Sequence, residues 1–359
     1  MGSALCVPLA DRGHEVRLVG THLDDPIVAS LKRGHAHPTL GVALPASVRV
    51  FESSELPGAA GGADVLIVGV SSAGIRWAGE QLSPLVRPHV PVVMVTKGLA
   101  LGSPSTLARH GQSQEARGKD PLVDRELVIL PDVLESYFPP ELGEQVHPAA
   151  IAGPCIAGEL ARRVPTCAVL VGRDSTACQQ LAAMLATPYY RLWTNPDLVG
   201  VQFCAALKNA YAMGVALGAG LHEQTGGQPG PVARHNLEAA VLAQSVWEMQ
   251  RLVRAAGGDP LTVAGLAGVG DLEVTCNGGR TGRFGRLLGL GIGLAAALEQ
   301  MQGMTLECRE ILTVMRAALP LLAAEKYLSP ASLPLLDHLA SVALDGEPVA
   351  VPLERFFGP

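Results

Sequence analysis

MGSALCVPLADRGHEVRLVG, residues 1–20, decides how the first half of this chain is read. Residues 3–12 read as a helix, Gly13 as its C-terminal stop, and EVRLVG (15–20) as the strand that follows. Working outward, DVLIVGV (64–70), PVVMVT (91–96) and CAVLVG (167–172) have the same strand character. They are rich in β-branched residues and almost continuously apolar, which suits a parallel sheet covered on both faces. Strands of this kind alternating with helical segments predict an α/β domain built on a doubly wound parallel sheet.

The character changes from about Pro196. Residues 198–221, 236–256 and 306–324 carry long helical patterns with few strand signals. The expected organisation is an α/β domain over 1–195 and a mostly helical domain over 196–359. The polar stretch 102–120, with several Ser, Gln and charged residues, reads as a surface loop or insertion.

Bulk properties exclude several classes. With 359 residues, 48% hydrophobic and 17% charged, the chain is a folded globular protein of about two domains. A formal charge of −6 gives no footprint for nucleic acid. A bound phosphate would need a local device such as backbone amides, a helix N-terminus or one or two cations. Mean hydropathy is positive. Yet the apolar run 287–298 is only twelve residues between Arg286 and Glu299, against the roughly 20 a membrane span needs. No basic segment precedes an apolar one as in a signal peptide, so no membrane partner is expected. The seven cysteines form no CxxC pair, which predicts reduced thiols in the cytoplasm. The histidines show no metal-ligand spacing, and no metal is expected.

The opening stretch carries a further expectation. A dinucleotide-binding sheet starts with a strand, a GxGxxG turn and a helix. Here the helix and the second strand have nothing before them. Gly2 stands where the third glycine would let the helix pack closely on the sheet. The first strand and the two pyrophosphate-facing glycines are missing. That strand lies in mid-sheet, so its loss leaves two inner edges unpaired. The expectation is a natural product that starts upstream, with Met1 an internal methionine.

Several segments then occur in a telling order: MGSALCVPLADRGHEVRL, VMVTKGL, GPCIAGELARRVPT (153–166), ALKNAYAMGVALGAGL, GLAGVGDLEVTC (265–276) with GRTGRFG after it, and MQGMTLECREI. Together they resemble the NAD(P)-dependent glycerol-3-phosphate dehydrogenase family, over most of the chain from Gly2 to about Glu310. ALKNAYAMG with GDLEVTC is the specific part. The resemblance implies a Rossmann-like domain followed by a mostly helical one. It implies interconversion of glycerol 3-phosphate and dihydroxyacetone phosphate by hydride transfer with NAD or NADP. A homodimer is expected by the same analogy.

The chemistry of the residues runs alongside. Hydride reduction of a ketone makes an alkoxide, and a positioned acid must protonate it. A lysine in an apolar pocket suits this, because desolvation and a neighbouring cation favour proton release. Lys208 lies in such a stretch, FCAALKNAYAMGVALG. Lys97 ends an apolar strand, which at the carboxyl end of a parallel sheet faces the ligand crevice. The resemblance gives Lys97 the task of polarising the substrate carbonyl and contacting the cofactor. Asp271 and Thr275, four apart, share a face on a helical turn. The resemblance has Asp271 hold the catalytic lysine and places Thr275 near substrate. Unaided, Asp271 also reads as a helix N-cap after Gly270. Asn209 and Asn236 match family positions lining the substrate site.

GGRTGRFG (278–285) reads as a glycine-arginine loop that wraps a phosphate. Arg280 matches the family arginine that contacts substrate phosphate and cofactor. The family commonly has Arg-Asn where this chain has Arg280-Thr281. Gly2, Ser71, Ala157, Glu159 and Gln302 match cofactor contacts. Ser71 and Ser72 also read as helix caps. Asp24 and Asp25 come late after the second strand, and the choice leans to NAD. Two alternatives share the two-domain plan: a β-hydroxyacid or opine-type dehydrogenase, and a non-catalytic remnant without the pyrophosphate turn.

Overall fold

The computed structural model describes residues 1–102, 126–228, 234–326 and 328–358. The polar stretch beyond Gly102 lies outside the described residues. In chain order the elements are α1 (Gly2–Asp11), β1 (Arg17–Val19), α2 (Asp25–Lys32), β2 (Arg49–Phe51), α3 (Leu56–Ala60), β3 (Leu66–Val68), α4 (Ile75–Leu82), β4 (Val92–Met94), β5 (Leu99–Leu101), β6 (Leu127–Ile129), α5 (Leu130–Glu135), β7 (Ala149–Ala152), α6 (Ala157–Leu160), β8 (Thr166–Val171), α7 (Ser175–Leu185) and β9 (Tyr190–Asn195). Helices follow: α8 (Leu198–Gln224), α9 (His235–Ala255), α10 (Asp271–Cys276), α11 (Gly279–Gly289), α12 (Leu294–Gln300), α13 (Glu307–Lys326) and α14 (Pro334–Ala340).

Two compact units emerge. The first contains Met1–Lys97 and Leu130–Leu198, and the second contains Val199–Pro359 with the strands β5 and β6. In the first unit β3, β4 and β7 run parallel, with Ile67 opposite Val93 and Met94 opposite Ala150. Val92, Val93 and Met94 are wholly buried, as a strand covered on both faces must be. α1 lays Ala4, Leu5 and Val7 into the same core as Val93 and Leu170. Gly13 ends α1 at φ 93°, a conformation that favours glycine. This is a Rossmann-like α/β domain.

Two features differ from the expected parallel sheet. β8, the predicted CAVLVG strand, runs antiparallel to β7, with Ile151 opposite Leu170. The connection between them carries only the four-residue α6. Such a helix advances about 6 Å, too little to return the chain past a six-residue strand of about 20 Å. The sheet is also divided. β1 pairs only with β2, and β3 is an edge of the five-stranded sheet β3-β4-β7-β8-β9. Among the described residues no strand joins β1 to β3.

The second unit is built around α8. This 27-residue helix is long and apolar enough to cross a membrane by length and composition, and 83% of its most apolar window is buried inside the protein. It therefore replaces residues 287–298 as the span-length candidate, and its burial is that of a core helix. Residues 287–298 are instead divided between α11 and α12. α11 lies against α8 at backbone distance. A Cβ on Gly285 would sit 2.3 Å from the Met213 carbonyl oxygen, and one on Gly289 would sit 2.4 Å from that of Leu217. Arg286 adds a two-pronged bond to Glu223, 2.5 Å on each arm.

A second knot joins α8, α9 and α14. Glu248, fully buried on α9, accepts from Tyr211 Oη at 3.0 Å and Gln244 Nε2 at 2.8 Å. It also accepts from the backbone N–H groups of Leu335 at 2.7 Å and Leu336 at 2.9 Å, which open α14. Burial pushes its carboxyl above the usual range, and these donors oppose the shift.

Candidate active site

Lys208 sits mid-way along α8, where Cys204 to Leu207 and Ala210 to Met213 are all buried. Its own exposure is 8%. A buried ammonium requires a partner, and the partner is Asp271, which is 0% exposed and accepts a hydrogen bond from Lys208 Nζ through Oδ1. The chain delivers Asp271 through a one-turn π-helix, Leu266–Gly270. There a Cβ on Gly268 would lie 2.0 Å from the Val263 carbonyl oxygen, so only glycine permits the approach. Gly270 is the N-cap residue, and Asp271 begins α10 with no side-chain cap bond between them. The carboxylate serves the lysine rather than the helix end.

Thr275 lies one turn along α10, and its hydroxyl donates to the Asp271 carbonyl oxygen at 2.6 Å. Cys276 follows. Burial pushes its thiol up to about 12, Glu273 and Glu238 add to the rise, and the Lys208 charge opposes it. Asn209 is half-buried beside Lys208 on α8, and Asn236 is exposed in the first turn of α9.

The sequence GGRTGRFG is a helix, not a loop. α11 starts at Gly279, after Gly278 at φ 140°. Phe284, wholly buried, with Leu287 and Leu288 gives it an apolar face, and its glycines allow the close contact with α8. Thr281 is buried in its first turn, while Arg280 is exposed. Arg280 Nη2 donates to Glu307 Oε1 at 2.5 Å. Gln302 is exposed in the connection between α12 and α13.

In the first unit, the carboxyl ends of β3, β4 and β7 come together. A Cβ on Gly69 would sit 2.9 Å from the Cα of Gly2, so two glycines bring the start of α1 against the end of β3. Thr96 Oγ1 donates to the Val70 carbonyl at 2.8 Å, and Lys97 Nζ donates to the Gly153 carbonyl at 3.3 Å. Met1, Leu5, Val95, Lys97, Gly153 and Tyr190 border a small apolar concavity. Ser71 caps a short 3₁₀ turn by position, without a side-chain bond. Ala157 and Glu159 lie on α6, Glu159 exposed.

The glycine cradle of Gly2 and Gly69 and the lysine at the sheet's carboxyl end suit a nicotinamide cofactor. Among the described residues, no group of three His, Cys, Asp or Glu side chains is placed to hold a metal. The structure thus pairs Lys208 with Asp271, sets Thr275 on the next turn, and brings Gly2 and Lys97 to one end of a sheet. The sequence does not single out Gly69 or Glu307. The first carries no chemistry that a sequence displays, and the second lies 27 residues from its partner.

A Rossmann-like sheet ending in a lysine, followed by a helical unit with a buried Lys–Asp pair, defines an NAD(P)-dependent oxidoreductase acting on a CH–OH group. The family models for the NAD-dependent glycerol-3-phosphate dehydrogenase N-terminus and C-terminus match residues 1–120 and 197–354. The chain belongs to the NAD(P)-dependent glycerol-3-phosphate dehydrogenase family. It is 31% identical over 302 residues to the NADP(+)-dependent glycerol-3-phosphate dehydrogenase of Archaeoglobus fulgidus, covering 84% of this chain and 81% of that one. With the glycerol-3-phosphate dehydrogenase [NAD(P)+] of Symbiobacterium thermophilum it shares 33% identity over 357 residues, 99% of this chain and 90% of the relative. The crystal structure of glycerol-3-phosphate dehydrogenase from Coxiella burnetii superposes with a TM-score of 0.74 at 26% identity, covering 99% of this chain and 95% of that one.

Proposed function

We propose that this protein interconverts glycerol 3-phosphate and dihydroxyacetone phosphate, with Lys208 as the acid/base. The observation that carries the proposal is the buried Lys208–Asp271 pair. Such a pair gives little net stability for its desolvation, so its placement in a core helix calls for a chemical reason. The nicotinamide cofactor, when bound, supplies or accepts the hydride. Lys208 donates a proton to the ketone oxygen as it becomes an alkoxide, and as the neutral amine it takes the proton back in the reverse direction. Asp271 holds Nζ in one place and compensates its charge. Arg280 forks onto the substrate phosphate, with Thr281 beside it. Asn209, Asn236 and Thr275 are assigned polar contacts to the substrate.

Lys97 is assigned the polarisation of the substrate carbonyl, and Gly2, Ser71, Lys97, Ala157, Glu159, Arg280 and Gln302 are the proposed cofactor contacts. The choice leans to NAD, with Asp24 and Asp25 the acidic residues that follow β1, late after its end at Val19. A cytoplasmic homodimer completes the proposal, the compartment from the scattered, odd-numbered cysteines and the dimer by analogy with the family. The test is steady-state reduction of a panel of phosphorylated and carboxylated ketones with NADH and NADPH. Dihydroxyacetone phosphate with NADH is expected to give the highest kcat/KM. A carboxylated ketone turned over faster would overturn the substrate assignment.

A further inference from the structure

We propose that Glu307 is a specificity-determining residue, a carboxylate that competes with the substrate for Arg280 and so selects a doubly charged phosphate over a singly charged carboxylate. The inference rests on the proposed role of Arg280 as the phosphate fork. Arg280 stands second in α11, beyond Gly278 and Gly279 at φ 140° and 78°. Its guanidinium, 49% exposed, points to Glu307 on α13 and bonds it at 2.5 Å. Glu307 is itself 30% exposed and is the first residue of α13. The group built to receive an anion therefore already holds one.

A carboxylate and a phosphate offer the same fork geometry to a guanidinium, but a phosphate monoester brings a charge near −2 and three acceptor oxygens. A phosphorylated ketone displaces Glu307 with a net gain. A carboxylated ketone exchanges one carboxylate for another and gains little. The exchange also spares Arg280 an unpaired state between turnovers. The guanidinium stays pointed by a partner on a different helix.

The ion pair is partly exposed, so its removal should be worth no more than a surface pair. Glu307→Gln keeps the shape and deletes the charge. It is expected to lower the KM for dihydroxyacetone phosphate by roughly two- to fivefold and to tighten competitive inhibition by inorganic phosphate to the same degree, with kcat unchanged. Carboxylated ketones should gain in kcat/KM at least as much. Because the competition is between charges, the advantage should shrink as salt is raised well above 0.1 M, where screening acts over about 10 Å. A loss of packing would not respond to salt in this way. Glu299→Gln, which removes an exposed charge from α12, should leave KM where it is.

Two failures are distinguishable. If Glu307→Gln leaves the KM and the phosphate inhibition constant unchanged while Arg280→Ala raises both, the competition is refuted and the phosphate role of Arg280 stands. If Arg280→Ala moves neither, the phosphate role itself is refuted, and this inference with it. If Glu307→Gln raises KM, Glu307 orients Arg280 rather than competing for it, which also overturns the proposal.

Discussion

Lys208 and Asp271 illustrate how much one residue can say. A single charge inside FCAALKNAYAMGVALG has no water to turn to, and the sequence alone points to it for that reason. Its partner lies 63 residues later and was legible only because GDLEVTC is a specific motif. Arg280 was legible as a cation, but its pairing with Glu307 was not, since nothing local links the two. A different residue gives a cleaner test of electrostatics in the first unit. Asp11, the last residue of α1, accepts two bonds from Arg163 at 2.7 and 2.9 Å and one from Tyr189 Oη at 2.6 Å. The Arg163 hydrogen bond is the main force holding the Asp11 carboxyl below its usual 3.8.

A carboxyl with a depressed folded pKa contributes stability that is complete above its unfolded value and lost as pH falls through the folded one. Arg163 is half exposed, so Arg163→Ala should cost less than about 1 kcal/mol at neutral pH. Thermal melts should show that difference near pH 7 and its disappearance at about pH 2. An equal loss at both values would mean that Arg163 contributes by packing alone.

At the scale of elements, the long helices were legible and their neighbours less so. The patterns over 198–221, 236–256 and 306–324 became α8, α9 and α13 with ends shifted by a few residues, because α9 and α13 bury one face at helical period and α8 is an apolar run too long for a strand. β7 went unread. It is four residues, AAIA, and alanine carries no strand signal. The helix at GGRTGRFG was misread because glycine normally marks a loop, and here Gly285 and Gly289 are the surface on which α11 meets α8. This makes a sharp prediction. Gly289→Ala places a methyl 2.4 Å from the Leu217 carbonyl oxygen and should destabilise the protein by about 1–3 kcal/mol or more. Because Arg280 begins the same helix, KM for dihydroxyacetone phosphate should rise more than kcat falls. Unchanged denaturation and unchanged KM would show that the two helices separate at no cost.

For the whole molecule, the sequence predicted an α/β half and a helical half, and the family resemblance was carried by motifs in both. The division of the sheet into β1-β2 and a five-stranded portion follows from long-range pairing, which no local pattern displays. With a net charge of −6, phosphate binding falls to local devices, for which Arg280, Gly2 and Lys97 are the residues proposed.

The most direct measurement is the rate of dihydroxyacetone phosphate reduction by the Lys208→Ala protein, with NADH binding followed in parallel by nicotinamide fluorescence. Loss of a positioned acid should lower kcat by about 10²- to 10⁴-fold while NADH affinity stays within about threefold of the parent, since no cofactor contact is assigned to Lys208. Turnover near the parent rate, from a protein lacking that ammonium, would contradict the assignment of proton transfer to this residue.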